Sequence, residues 1–545
     1  MARTLIKNAN IITMDENVSG DCMILEGSRI LAVGREEKLI AEKVNGADVV
    51  DMKGATIVPG FIDPHGHFFI SAMAHKLFAD VSCYPIGKIK NMSMLIQKLK
   101  CYGKEHPGKS TIIGFGFDDT LTEEYRMPTA ADLDQVSSKR SVIVLHTSLH
   151  MLSANTIAMQ RAGITDDTFL PECGRVYYEN GKPTGIFEEA DAMAPIIKKA
   201  FSAKMIFSVL KAMEEESERY LREGITTVCE GAGNMAGFYK LAYSQHRMKN
   251  RAIVCQSLKA DGKLPQRIVY KEGRQLIDGP VKLVADGSIQ AYTAYLTKPY
   301  YKNHPSRPKP EGYCGNPGIT REKLEHALDA IGKEGRAFAV HCNGDAALDM
   351  VLDAFAKAPH ADRNARNLII HCQTARDDQL DRMKEAGFLP SFFPAHVYVW
   401  GDSHVHTFLG EERGSRIDPI GSAVERNMCF SLHNDAPVTG PSPLSLIWNA
   451  VSRMTQKGEI IAPEQRISVY DALKGVTCNA AFQYGAEDWL GSLTPGKRAD
   501  FVVLDRDILN IPIEEIRNVC IQSVWVDGKM YFPAQKRRNS RSDKQ

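Results

Sequence analysis

Residues 58–67, VPGFIDPHGH, read as a buried strand that runs into two histidines separated by one residue. Alternate side chains of a strand share a face, so His65 and His67 can address one metal ion. With 16 His among 545 residues, roughly half an H-x-H pair is expected by chance, so context has to decide. A second pair, His404 and His406, stands in the polar stretch GDSHVHTF, with no apolar strand leading into it, and reads as surface or loop histidines. The first pair follows an apolar run at 55–58, a Pro59-Gly60 break and Phe61-Ile62-Asp63. Replacing His404 is therefore expected to spare activity, and replacing His65 to abolish it.

The elements that would position these residues fall into three zones. Residues 5–58 are short β-branched runs with turn punctuation (LIKNANIITM, CMILEG, RILAVG, ADVVDM), and the chain closes on FVVLD and VWVDGKMYF, the latter a hairpin turning at Asp527-Gly528. The two ends are expected to pair into one small β domain. From about residue 205, amphipathic helices alternate with apolar strands: ITTVCEG, AIVCQSL, PVKLVADGS, AFAVHCNGD, NLIIHCQ, FLPSFF and MCFSLHND. Strands of nearly continuous apolar character between helices imply a parallel sheet covered on both faces. With the strand before His65 they number eight, which is the count that closes a barrel.

Polar residues sit on those strands in a regular way. His65 and His67 follow the first, Lys282 lies within the fourth, and His341, His371 and Asp435 end the fifth, sixth and eighth. C-terminal strand ends form the face on which barrel enzymes build their sites. Four His and one Asp converging there would be costly to desolvate without a shared partner, and a divalent cation supplies one.

The segments PGFIDPHGH (59–67), VKLVADGSIQAYTA (281–294), AVHCNGDAALD (339–349), IIHCQ (369–373), HNDAPV (433–438) and LTPGKRADFVVLD (493–505) resemble the metal-dependent amidohydrolase superfamily over nearly the whole chain. The branch they resemble is amidohydrolase family 3, with the N-substituted formamide deformylases and the exoenzyme regulatory protein AepA. The resemblance implies an α/β fold: a (β/α)8 TIM barrel (59–67 and 205–487), a β-sandwich from both chain ends (1–58 and 488–532), and an α/β insertion after the first barrel strand (68–204). Residues 533–545 are expected to form a disordered basic tail. It also implies one or two divalent metals, zinc being the common choice, held by His65, His67, His341, His371 and Asp435. Lys282 would be a carboxylated lysine bridging two metals; read from the residues alone, it could equally snorkel or pair with Asp286.

The reaction implied is hydrolysis of an amide or related non-peptide C–N bond in an N-formyl, N-acyl or carbamate-like small molecule. Hydroxide would be generated at the metal, and Asp435 would shuttle the proton. A mononuclear aminohydrolase and a non-catalytic scaffold of the same fold are the alternatives. His150, Asp286, Trp400 and His433 are the candidate substrate contacts; His150 belongs to a His-x-x-x-x-Asn element shared with the resembling branch, and His433 could orient substrate or simply pack. Phe392, Phe393, His396, Tyr398 and Trp400 are a candidate pocket wall.

Composition narrows the partners. A net charge of +1, without a basic stripe, gives no reason to expect nucleic acid, and no apolar run approaches a membrane span. Twelve Cys without regular spacing argue for reduced thiols and a cytoplasmic setting, while homo-oligomerisation stays open. Residues 103–110, GKEHPGKS, satisfy the Walker A pattern, but an amphipathic stretch precedes them and the strand TIIGFGF follows. A phosphate loop has the reverse order, so nucleotide binding is not expected.

Overall fold

Phe61–Ile62 (β1) begins a parallel ladder that occupies most of the chain. It pairs with Ile225–Glu230 (β2), and β2 pairs with Arg251–Val254 (β3). A second run joins Val281–Val284 (β4), Phe338–Cys342 (β5), Leu368–His371 (β6), Leu389–Phe392 (β7) and Ser431–Leu432 (β8), each parallel to the next. Ser257 and Lys282 form a parallel bridge that carries the ladder from the end of β3 to β4. At the far end, the Asn434 amide donates to Asp63 Oδ1 at 3.1 Å and the Asp435 amide to the His65 carbonyl at 3.2 Å, tying the exit of β8 to that of β1. One further strand, Leu276–Asp278, lies parallel to β3. With three residues it is too short to show a period, and the sequence reading missed it. The computed structural model describes residues 2–43, 46–165, 174–200, 203–259, 261–269 and 275–533; the expected basic tail lies almost wholly outside these.

The helix ahead of β5 shows how sequence sets this alternation. Thr320 caps Arg321–Lys333 by accepting from the Lys323 amide, and Leu324, Ala327, Leu328 and Ile331 recur at helical spacing on the buried face. Burying the two Leu and the Ile contributes about 1.5–3 kcal/mol each. Gly335, at φ 57°, then takes the left-handed turn that leads into β5.

Both chain ends share one five-stranded sheet, in which Thr56–Pro59 lies antiparallel to Phe501–Leu504 with Val58 opposite Val502. Ile521–Val526 and Lys529–Pro533 complete the expected hairpin, with Asp527 and Gly528 both at positive φ. The run read as one strand at 5–14 is two: Arg3–Lys7 lies in a separate four-stranded sheet and Asn10–Ile11 in the five-stranded one. Asn8 turns the corner between them at φ 54°, a conformation Asn tolerates. Ile6, Met23, Leu25 and Ile30 of one sheet pack with Ile57, Phe501, Val503 and Trp525 of the other. Across the boundary with the parallel ladder, Arg251 of β3 is buried against Asp500 at 2.9 Å and Asp527 at 2.6 Å.

Residues 79–188 build a third sheet of six strands, ordered Arg175–Glu179, Lys182–Glu188, Met151–Ala154, Ser141–His146, Thr111–Phe117 and Ala79–Asp80. The Walker-like segment joins the C-terminal end of helix Met92–Glu105 to strand Thr111–Phe117, the reverse of a phosphate loop's order, and Lys109 Nζ donates to the Leu77 carbonyl at 2.7 Å. No helix among the described residues is long and apolar enough to cross a membrane, and the described cysteines are free thiols.

Candidate metal and active site

The loop after β1 is pinned to the loop after β8 by backbone bonds, including His67 N to the Ala436 carbonyl at 2.7 Å. This stitching brings together residues far apart in sequence. Asp435 Oδ1 lies 3.7 Å from His65 Nε2 and 3.5 Å from His67 Nε2, and Asp435 Oδ2 lies 3.9 Å from His371 Nε2. His371 Nε2 is 3.1 Å from His341 Nδ1, and Lys282 Nζ is 3.5 Å from His65 Nε2. All six residues named from the sequence as ligands therefore meet at one end of the ladder. His371 and Asp435 hold left-handed backbone at φ 69° and 51°, a cost that surrounding structure sustains at functional sites.

Burial governs the electrostatics. It lowers His67 to about 3, with the Lys282 charge adding to the effect, and takes His65, His341 and His371 well below their ordinary value. The imidazoles are neutral, with lone pairs available. Burial also brings Lys282 down to about 8 and Asp435 up to about 6.

These residues fit a metal ion. Asp435 Oδ1 is buried and finds no hydrogen-bond partner among the described residues, although it faces two imidazoles. Tetrahedral ligands at 2.0–2.2 Å from an ion stand about 3.3–3.6 Å apart, close to the 3.5 and 3.7 Å found here. The ligand atoms of His65, His67 and Asp435 all lie within 4.8 Å of one another.

A small cavity opens beside this cluster. His341, His371 and Asp435 face it from the ladder, Thr147, Ser148 and His150 from the third sheet, and Phe393, His396, Trp400 and Val438 from the remaining side. His150 and Trp400 are thus on the cavity wall. His150 Nδ1 is bonded to Glu189 Oε2 at 2.9 Å, leaving Nε2 free to face the cavity. The Asn of its motif, Asn155, is spent on structure, accepting from the Val142 and Ala158 amides.

Two other candidate contacts lie elsewhere. The Asp286 carboxylate accepts from the amides of Asn343, Gly344 and Tyr295 at 2.7–3.0 Å, which shapes the loops after β4 and β5 and leaves Lys282 facing the histidines. His433 is buried behind His371, 3.3 Å from its Nδ1, with Ser391 Oγ on its other nitrogen at 2.9 Å. It orients a neighbouring imidazole and does not line the cavity.

His404 corrects the sequence reading. It is fully buried, with Nδ1 on the Trp400 carbonyl and Nε2 on the Gln373 amide, both at 2.8 Å, whereas His406 is 56% exposed. Helix Ala395–Ser403 continues through a π-helical turn, His404–Phe408, so position 404 shares a face with Trp400 and Phe408. The stretch read as surface or loop is helical, and one of its two histidines faces inward.

Glu230 was missed. It ends β2, accepts from Phe69 N at 2.8 Å and Tyr239 Oη at 2.9 Å, and stands 4.0 Å from His67 Nδ1. The rule that found the other residues, a polar group at a strand's C-terminal end, applies equally to ITTVCE.

A sequence profile of the amidohydrolase family matches residues 48–532. The chain belongs to the amidohydrolase family. An N-substituted formamide deformylase of Arthrobacter pascens is 26% identical over 552 residues, covering 98% of each chain. The protein LONG AFTER FAR-RED 3 of Arabidopsis thaliana is 28% identical over 558 residues, 98% of this chain and 92% of that one. Among solved structures, an uncharacterized metal-dependent hydrolase from Pyrococcus horikoshii OT3 superposes with a TM-score of 0.72 at 25% identity, over 94% of this amidohydrolase and 99% of that chain.

Proposed function

We propose that this amidohydrolase cleaves an amide or related non-peptide C–N bond in a small N-formyl, N-acyl or carbamate-like compound. In this reading the parallel ladder closes as a (β/α)8 barrel, the terminal sheets form a β-sandwich, and the inserted sheet roofs the cavity. His65, His67, His341, His371 and Asp435 would hold one or two divalent ions, zinc by preference, with Lys282 as the carboxylated bridge that its low basicity permits. When bound, such an ion supplies Lewis acidity, polarising a carbonyl and acidifying water.

Asp435 accepts the proton of the attacking water and passes it to the departing nitrogen. His150, held by Glu189, presents its free nitrogen to the substrate from the opposite wall. Phe393, Trp400 and Val438 exclude water from the substrate's apolar part. The observation that carries the proposal is the buried, unpartnered Asp435 Oδ1 among neutral imidazoles.

Elemental analysis of the native protein, paired with a screen of N-formyl, N-acyl and carbamate compounds, tests it. One to two divalent ions per chain and turnover that a chelator removes are expected. A protein that takes up no divalent ion refutes the proposal.

A further inference from the structure

A second polar cluster is buried behind the cavity wall. Asp118 and Asp119 follow strand Thr111–Phe117, His146 ends Ser141–His146, and His304 and Arg307 come from the excursion between β4 and β5. His146 Nε2 lies 3.6 Å from Asp118 Oδ1 and 3.5 Å from Asp119 Oδ1, the composition and spacing of a cation site.

Three observations argue for a different role. The Arg307 guanidinium already neutralises Asp119 Oδ2 at 2.7 Å, alongside His304 Nε2 at 3.1 Å. Asp118 Oδ1 is taken by the Thr120 amide at 2.9 Å and hydroxyl at 2.6 Å. His146 Nδ1 lies 2.8 Å from the Ser148 hydroxyl and Nε2 lies between the two carboxylates, which outweigh burial and raise the ring to about 9, so that a proton sits on Nε2.

The remaining oxygen, Asp118 Oδ2, accepts from Trp400 Nε1 at 2.8 Å. Trp400 and Ser148 both line the cavity, the first bonded to Asp118 and the second in contact with His146. We propose that Asp118 and His146 form a proton-held clamp that positions Trp400 and Ser148 and thereby sets which substrates fit. The inference rests on the cavity being the substrate site. A charge-assisted bond in a dry environment holds the indole in one orientation more firmly than apolar packing alone would. Because the bond joins the inserted sheet to helix Ala395–Ser403, it also fixes how far apart those two walls stand.

The test uses the full-length, metal-loaded protein as wild type, Asp118→Asn, Trp400→Phe and the double variant. Asparagine offers one acceptor oxygen to three donors, and phenylalanine keeps the ring but removes the N–H. Each single variant is expected to raise KM about fivefold, the worth of one net hydrogen bond, with kcat little changed. The double variant should be no worse than either single one, since both lose the same bond. Tryptophan emission should shift in Asp118→Asn, and the same substitution should produce no shift in the Trp400→Phe background.

Metal content should be unchanged in His146→Ala. Loss of one metal equivalent from that variant, with the His65–His67 site still loaded, would make the cluster a cation site and overturn the clamp. So would additive effects in the double variant, or wild-type KM and emission in a folded Asp118→Asn. If Asp118→Asn does not fold, an unchanged KM in Trp400→Phe overturns the clamp. If the wild type hydrolyses none of the compounds, the functional proposal fails by itself, and the emission comparison still decides the clamp.

Discussion

Gly231 offers a way to move one proposed ligand without touching it. It follows β2, and a Cβ built there would lie 2.3 Å from His65 Cε1 and 2.5 Å from Nδ1. Carbon atoms in contact need about 3.4–4.0 Å, so one side must give by about 1 Å or more. The backbone of Gly231 is tied down, its amide bonded to the Gly66 carbonyl at 2.6 Å, so the strain falls on the imidazole. A displacement of that size is half a metal–ligand bond length. Gly231→Ala should weaken metal binding at least 10- to 100-fold, the scale of lost ligand orientation, and lower kcat/KM by about 100-fold. Gly237→Ala is the control, because a Cβ there meets nothing within 4 Å. Metal content after competition with a chelator, read beside kcat/KM and circular dichroism, provides the assay. If Gly231→Ala keeps its metal through the chelator and stays within about threefold of wild-type turnover, His65 is not positioned as argued here.

Four further outcomes are expected. His65→Ala and Asp435→Asn should remove measurable turnover, and His65→Ala should also lose metal by elemental analysis. His404→Ala should leave kcat/KM per folded molecule nearly intact while costing about 2–3 kcal/mol in urea denaturation, because it strands the buried Gln373 amide. Asp500→Ala should cost about 2–3 kcal/mol in the same assay, because the buried Arg251 guanidinium loses its bidentate partner and keeps only Asp527; a loss under 1 kcal/mol would contradict this. Glu216 is buried, which would raise its pKa, but His75 and Arg219 outweigh burial and hold it at about 2, below its ordinary 4.5. It therefore contributes on the order of 3 kcal/mol above pH 4.5, lost as the pH falls toward 2, so the stability gap between wild type and Glu216→Gln should narrow over that window.

Much of this was legible because parallel strands bury both faces. Leu368–His371 and Ile225–Glu230 are buried end to end, and the ionisable residue that closes each marks the rim where the candidate ligands meet. The candidate ligand set came from that rule and from the family resemblance together. What stayed hidden has physical reasons. Leu276–Asp278, at three residues, does not complete two strand periods. Asp286 and His433 carry the right chemistry at the right strand ends, yet backbone amides claim one and a neighbouring ring the other, choices made by loop conformation. His404 shares its face with residues four away on either side, a relation that a polar stretch read as loop does not reveal. The Asp118–Trp400 bond joins residues 282 positions apart, and neither sequence neighbourhood hints at the other.

The antiparallel pairing of Thr56–Pro59 with Phe501–Leu504 bears on what becomes of a shortened chain. A chain cut before residue 501 would lack the partner strand of Thr56–Pro59, leaving the amides and carbonyls of that edge without their ladder. Such a truncation is expected to aggregate through the bare edge.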